Sequence, residues 1–377
     1  MRKLMGLVKK IAKWLSVVIL MIMLIPIFAG FYVFSGVFEC SQLALNKTKI
    51  VQKNALNEKA LKVKAKVPGY HRSEESTFLT FPEWYIVYSS QEYAQVLEKG
   101  LPSEFPYFSA IGQFWKGYCY CNALAKTYPV NVDNHVMIMV IGTSLTLEYI
   151  FKGLYENSIG RFSEWMSHHQ QVAEDKYAYQ VANDYAQLIP LRPWYEFTFF
   201  NSFKGLWQQT SLWGENAFRK WERKFILSIE YLFKSFYAWL IEVSTHATFG
   251  VADVNTGVWV KAAPRAVNNQ HIQIVAPVDD HSMIALLPRY QPFTQKAIDL
   301  VNSKASFIDI ADNHLIMLSA MVPQKTQLKV GKIVFTMNIL TKPGYQRIAV
   351  VMAVSQLDQV IKDLTQSGAT IEHIYDY

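Results

Sequence analysis

Residues 347–377 read RIAVVMAVSQLDQVIKDLTQSGATIEHIYDY, and this stretch decides the fold class of the C-terminal part of the chain. The first apolar run is typical of a strand, residues 355–368 carry apolar side chains at helical spacing, and the last residues again read as a strand. Ser355 is the predicted cap of the helix and Gly368 its predicted end. The stretch therefore predicts a strand, a helix and a strand in succession.

Short β-rich runs precede this stretch from about residue 258, and a helical patch covers residues 292–304. The closing strand-helix-strand pattern resembles the end of a ferredoxin-like or ACT-like module, which implies a small α+β fold over residues 251–377. Many unrelated functions share that pattern, so it implies none of them. No internal repeat is visible along the chain.

Residues 73–250 predict an aromatic-rich α-helical domain. Pro82 is placed at the first turn of one helix and Gly100 at its end. Later helices are predicted over residues 135–166, 172–188 and 214–243. The last of these has an apolar stripe at helical spacing, made of Phe218, Trp221, Phe225, Ile229, Leu232, Phe236, Trp239 and Val243. Residues 135–155 and 225–243 resemble membrane spans, but each carries charged residues, which favours buried bundle helices.

Residues 14–38 form an uncharged run that would reach about 37 Å as a helix, enough to cross a bilayer. The basic residues before the run exceed those soon after it, which predicts a cytoplasmic N-terminus and an extracytoplasmic remainder. A cleaved signal peptide is the alternative. The expected location is therefore the bacterial inner membrane, with a single pass and the bulk of the chain in the periplasm.

The predicted organisation is an anchor with its basic flank over 1–38, a Lys-rich stalk over 39–72, a helical domain over 73–250 and an α+β module over 251–377. With 51% hydrophobic and 18% charged residues, the chain has enough apolar material for packed cores. Its net charge of +7 is concentrated in the flanks of the anchor and needs no nucleic-acid partner. The expected partners are the membrane and either another membrane protein or a second copy of the chain.

Residues 147–169, LEYIFKGLYENSIGRFSEWMSHH, are the richest in candidate chemistry. Glu148, Lys152 and Glu156 recur every four residues and so share one face of a helix. The opposite stripe, which is expected to face the core, contains Leu147, Phe151, Leu154, Phe162 and Trp165. Two interpretations stay open for the polar face: a functional polar seam in an aromatic bundle, or an ion-pair ladder in solvent. The candidate polar site also includes Tyr155, Arg161 and Glu164.

Two aromatic and acidic clusters add Glu83 and Glu196 to the candidate site, on the hypothesis that both clusters line one pocket. Acidic residues at a helix start are also favoured by the helix dipole, which is a sufficient structural reason for them. Cys119 and Cys121 are a poor zinc site without a second Cys/His pair, and Glu164 with His168 lacks the spacing of a di-metal bundle. The sequence predicts neither a metal nor a cofactor, and it contains no nucleotide-binding or hydrolase motif.

These observations predict a membrane-anchored accessory or binding protein. The alternatives are an enzyme acting on a lipid-borne or hydrophobic substrate through the polar seam, and a multi-span transport component. Burial of Glu148 beside a sizeable pocket would favour the enzyme, whereas a flat apolar patch would favour the accessory protein.

Overall fold

The computed structural model describes Lys13 and residues 24–35, 58–248, 254–262 and 272–377. Over these residues the chain is a mixed α+β protein, as the sequence predicts. Most of the predicted anchor lies outside the described residues. Its described part is a short apolar helix, α1 (Leu24–Phe34). The described helix long and apolar enough to cross a membrane is in mid-chain, over Val132–Met166, rather than at the N-terminus.

Helices dominate the chain up to residue 248. They are α2 (Glu58–Lys64), α3 (Ser76–Lys99), α4 (Tyr107–Ala125), α5 (Val132–Tyr155), α6 (Arg161–Met166), α7 (Ala173–Leu188), α8 (Phe199–Gln209) and α9 (Ala217–Thr248). A π-helical segment, Glu156–Gly160, joins α5 to α6. Gly100 ends α3 as predicted, but α3 begins at Ser76, so Pro82 lies inside the helix and not in its first turn.

Two four-stranded antiparallel sheets follow. Sheet A has the order β2-β3-β1-β4, from β1 (Asn255–Lys261), β2 (Gln273–Pro277), β3 (Ser282–Pro288) and β4 (Ser306–Ile310). Sheet B has the order β6-β7-β5-β8, from β5 (Leu315–Pro323), β6 (Lys332–Asn338), β7 (Tyr345–Ala353) and β8 (Thr370–Tyr375). Helix α10 (Gln291–Asn302) precedes β4, and α11 (Leu357–Gln366) precedes β8.

The two sheets repeat one topology. Each is built as three strands, a helix and a fourth strand, and in each the first strand lies between the third and the fourth. The irregularities also correspond: the first strand's pairing with the fourth shifts register after Trp259 in sheet A and after Ser319 in sheet B. A ferredoxin-like arrangement is not confirmed, because three strands precede the helix in each unit. The chain has a structural repeat that its sequence does not reveal.

The predicted strand-helix-strand of residues 347–377 is confirmed as β7, α11 and β8, with Gly368 at a positive φ of 72° after the helix. The structure places a short 3-10 turn, Val354–Gln356, before α11, so the helix cap falls at Gln356 and not at Ser355. The strand β3 was not predicted, because its run SMIALLP is short and continuously apolar and so carries no period.

Sheet B lies between two apolar layers. Ile348 and Val350 of β7 pack into the core that holds α10, α11 and sheet A, while Ala349 and Val351 join the core of α3 and α4. Alternate residues of one strand therefore face opposite cores, as a pleated strand requires. The result is a stack in which α5 packs on α3 and α4, these pack on sheet B, and sheet B packs on the helices that separate it from sheet A.

Helices α5 and α9 expose large apolar side chains, which is the reverse of the burial pattern in a water-soluble bundle. Phe151, Leu154, Phe162 and Trp165, which the sequence analysis assigned to the core, are 54–66% exposed, so that prediction is wrong. The stripe of α9 is exposed as well, from Phe218 to Val243. Apart from Asp133 and Glu242, which are exposed, the charged residues of both helices point inward and pair with acids or bases of α5, α6, α7, α9 and the π-helical segment.

Candidate functional site

The π-helical segment and the inner faces of α6, α7 and α9 enclose a cluster of charges that we call the ionic core. Its members are Glu156, Glu164, Glu174, Asp175, Arg219, Lys220, Glu222, Arg223 and Lys224, all of them buried. Five buried carboxylates thus face four buried cations. Such a cluster is tolerable only when each charge is paired, since an isolated buried charge costs several kcal/mol.

Arg219 is fully buried and is held by carboxylates from three helices. Its Nη2 lies 2.8 Å from Asp175 Oδ1 on α7 and 3.6 Å from Glu164 Oε1 on α6. Its Nη1 lies 3.1 Å from Glu222 Oε2, one turn further along α9. The guanidinium presents several donors in a fixed plane, which suits it to join three elements at one point.

Arg223 extends the ionic core toward the π-helical segment. Its Nη1 donates to Glu156 Oε1 at 2.8 Å, and its Nε lies 3.3 Å from Asp175 Oδ1. Gly160 makes room for this arrangement, because a Cβ at that position would collide with the carboxylate of Glu156. The π-helical segment therefore positions Glu156 over α9, as such insertions often reposition a side chain.

A second cluster, the ion quartet, joins α5 to α9 further from α6. Lys152 Nζ lies 2.7 Å from Glu230 and 3.2 Å from Glu148, and Lys234 Nζ lies 2.8 Å from Glu148 and 3.2 Å from Glu230. Two acids and two bases alternate around a ring with no net charge. The quartet is a closed set of ion pairs, which leaves no free acid or base for catalysis.

The structure brings five of the eight predicted site residues to these clusters. Glu148 and Lys152 lie in the ion quartet, Glu156 and Glu164 in the ionic core, and Tyr155 donates to Glu222 at 2.7 Å. The other three lie elsewhere: Arg161 is exposed, Glu83 lies on α3 near Arg289, and Glu196 is exposed with Arg192 Nη1 at 4.0 Å.

The partners on α7 and in residues 219–224 of α9 were not predicted from the sequence, which on α9 drew attention to the apolar stripe and to the charged residues within 225–243. The signal was present in residues 219–224, RKWERK, where five of six side chains are charged within an otherwise aromatic helix. If such a run of charged residues lay on a solvent-exposed face, it would need no acidic partners on other helices. Its burial follows from the acidic residues that α6 and α7 present to it.

A separate polar seam lies where α3 packs on sheet B. Arg347 of β7 pairs with Glu92 at 3.1 Å and with Glu372 at 2.7 Å. Burial raises the pKa of Glu92, and Arg347 opposes that shift. Trp84 stacks on His373 at 3.4 Å between ring centroids, and burial holds the pKa of His373 well below its usual value. These contacts fix α3 on the sheet.

Glu83 lies on the same side of α3. Burial raises its pKa to about 7, and the positive charge of Arg289 opposes the shift. Arg289 itself donates to the backbone oxygen of Tyr377 at 2.7 Å and lies 3.7 Å from Asp376. Glu83 and Glu196 share no hydrogen bond or ion pair among the described residues.

The outer surface of α5, α6, α9 and the π-helical segment forms one exposed region that we call the apolar face. Its large exposed side chains are Val136, Val140, Phe151, Leu154, Ile159, Phe162, Trp165, Phe218, Trp221, Phe225, Ile229, Leu232, Phe233, Phe236, Trp239, Leu240 and Val243. Single exposed apolar residues are ordinary, but a continuous region on two long helices marks an interaction surface.

A cavity of about 330 Å³ is lined by Asp184, Gln187, Leu188, Leu191 and Arg192, at the end of α7. None of the eight predicted site residues lines it. Within the described ranges, no group of three or more His, Cys, Asp and Glu side chains is placed to hold a metal ion. No protein-family model, curated protein sequence or solved structure matches the chain.

Proposed function

We propose that this chain is a membrane-anchored accessory or binding protein whose binding surface is the apolar face. The observation that carries the proposal is the inverted burial of α5 and α9, which turns their apolar side chains outward and their charges inward. A surface of this kind associates with another apolar surface. The ionic core and the ion quartet then serve to hold the face together.

The enzyme alternative is weakened by the state of its candidate residues. Glu148 and Lys152 are each paired twice within the ion quartet, and Glu156 is paired with Arg223. A general acid or base needs a shifted proton affinity and access to a substrate. Ion pairs that occupy both acids and the base deny them access to a substrate, and the cavity at the end of α7 does not reach these residues.

The proposed location is the inner membrane of a bacterium, with the N-terminus in the cytoplasm and the bulk of the chain in the periplasm. The basic residues before residue 14 support this orientation by the positive-inside rule. Cys119 is disulfide-bonded, which fits an oxidising compartment outside the cytoplasm. In this arrangement the two-sheet module faces water and is available to dock on a partner or on a second copy.

The test is complementation of a deletion strain by full-length variants. Phe233→Glu places a charge at a side chain that is 67% exposed on the apolar face, and we expect it to abolish complementation at unchanged protein level. The matched control is Val275→Glu, at an exposed apolar residue of β2 outside the face, which should complement normally.

Glu148→Gln separates the two functional classes. If the apolar face is the functional surface, this variant should complement, since the amide keeps the shape of the side chain and a hydrogen bond. Loss of complementation by Glu148→Gln at normal stability, together with normal complementation by Phe233→Glu, would favour the enzyme instead.

A further inference from the structure

We propose that the occupant of the apolar face is the lipid bilayer, and that α5 and α9 lie along the membrane surface instead of crossing it. This inference rests on the proposed function and names the partner of its binding surface. It makes the helical part of the chain a monotopic membrane domain in addition to the predicted anchor.

The distribution of charge on α9 supports lipid as the occupant. Between Glu215 and Glu242, both exposed, every charged residue of the chain is turned inward and at most partly exposed. The exposed stripe from Phe218 to Trp239 covers 22 residues, about 33 Å of helix. An apolar strip of that length without an exposed charge is typical of a surface that contacts hydrocarbon.

The same holds for α5 and α6. From Asp133 to Arg161, both exposed, the chain has three charged residues, and all three pair with cations or acids of α9. Phe and Trp predominate among the large exposed apolar side chains of α6 and α9, and Trp165, Trp221 and Trp239 are among them. Aromatic rings of this kind favour the boundary between headgroups and acyl chains.

The order in which the helices and sheets are stacked determines how α5 and α9 are oriented relative to the membrane plane. Helix α5 packs its inner side on α3 and α4, and their far side carries sheet B with its polar and ionic contacts. A helix that crosses the bilayer beside these elements would carry the sheet into hydrocarbon. Because lipid can cover only one side of the α5–α9 layer, the layer must rest on the membrane with its long axes in the membrane plane.

Helix α1 connects this surface to the predicted anchor. It buries Ala29 and Val33 against the bundle, and its Phe34 ring lies 5.6 Å from the ring of His135 at the start of α5. Its outer side exposes Ile27, Phe28 and Phe31. The described part of the anchor thus continues the apolar face, so both approach the same bilayer.

The test measures depth in the membrane by electron paramagnetic resonance. A nitroxide-bearing amino acid is incorporated by codon suppression at Phe218, Phe225, Phe236 or Phe151 of the full chain, with Val275 as the water-facing control. The protein is reconstituted in vesicles of phosphatidylethanolamine and phosphatidylglycerol. Accessibility to oxygen and to a soluble nickel complex then gives the depth of each label.

In-plane helices predict similar, shallow depths at all four positions, about 5–10 Å below the headgroups, and an aqueous signal at Val275. A spanning α9 would instead place Phe225 deeper than Phe218 and Phe236 by several ångströms, which would overturn the orientation. Labels shielded from both oxygen and nickel would show a protein occupant, and labels open to nickel would show water. Either result would overturn the lipid assignment, while the complementation assay would still report on the binding surface itself.

Discussion

Replacing Arg223 by Met tests whether the ionic core holds α9 in its inverted orientation. The guanidinium is 1% exposed and serves carboxylates of three elements, with Glu156 at 2.8 Å, Asp175 at 3.3 Å and Glu222 at 3.6 Å. Met preserves most of the volume but removes the charge. The ionic core would then contain five carboxylates and three cations.

The expected cost is about 3–5 kcal/mol of unfolding free energy, the range for breaking a buried ion pair by removing one partner. Glu156 is buried and loses the cation with which it is paired, whereas Asp175 and Glu222 keep Arg219 as their partner. The measurement is urea unfolding of the full chain in detergent micelles, followed by circular dichroism. Arg192→Met is the control, since Arg192 is 70% exposed and 4.0 Å from Glu196, and it should cost no more than about 0.5 kcal/mol.

A companion variant distinguishes charge from packing. Adding Glu156→Gln to Arg223→Met removes the unpaired carboxylate and should recover part of the loss, about 1–2 kcal/mol. A loss below about 1 kcal/mol for Arg223→Met alone would refute the reasoning, because it would mean that the ionic core is hydrated or dispensable. A large loss without any recovery in the double variant would assign the effect to packing.

Three further outcomes are expected. The contribution of Glu83 to the free energy of unfolding should fall as pH rises from about 4.5 to 7, because its pKa is raised in the folded state and the unfolded chain releases the proton first. Over this pH range the loss should be about 1–3 kcal/mol, measured by a pH series of urea melts. Glu83→Gln should remove this dependence on pH. Gly142→Ala should lower the melting temperature, since a Cβ there would collide with Phe114 and lie 2.7 Å from Trp115, whereas the same change at Gly112, which has open space, should not. In the denatured protein Cys119 should be alkylated only after reduction, as detected by mass spectrometry, and alkylation of Cys119 without a reductant would contradict the disulfide.

The periodicity of the sequence determined the secondary structure and the fold class. Apolar residues at helical spacing predict α9, and the run around Ile348 and Val350 predicts β7, because backbone geometry fixes which side chains share a face. The Glu148–Lys152–Glu156 series also follows from spacing alone, and the structure confirms that these residues share a face. Local geometry is encoded in local sequence.

Which face of a helix is buried was decided only by the tertiary structure. An amphipathic pattern is unchanged when the helix is turned by half a rotation, so the stripe from Phe218 to Val243 fits a core and a membrane surface equally well. The choice depended on the positions of Glu164 and Asp175 on other helices, which supply partners for Arg219. The sequence contains these charges, but their distances arise from the packing of elements that lie far apart in the chain.

The duplicated topology of the two sheets was likewise decided in three dimensions. Strand order and register depend on which edges meet, and the corresponding positions Trp259 and Ser319 differ in size and polarity. To adopt the same arrangement, the strands of sheet A and sheet B need only similar lengths and apolar side chains at the positions that face a core. Many residue combinations meet that requirement, because burial depends on hydrophobicity and volume more than on the identity of the side chain.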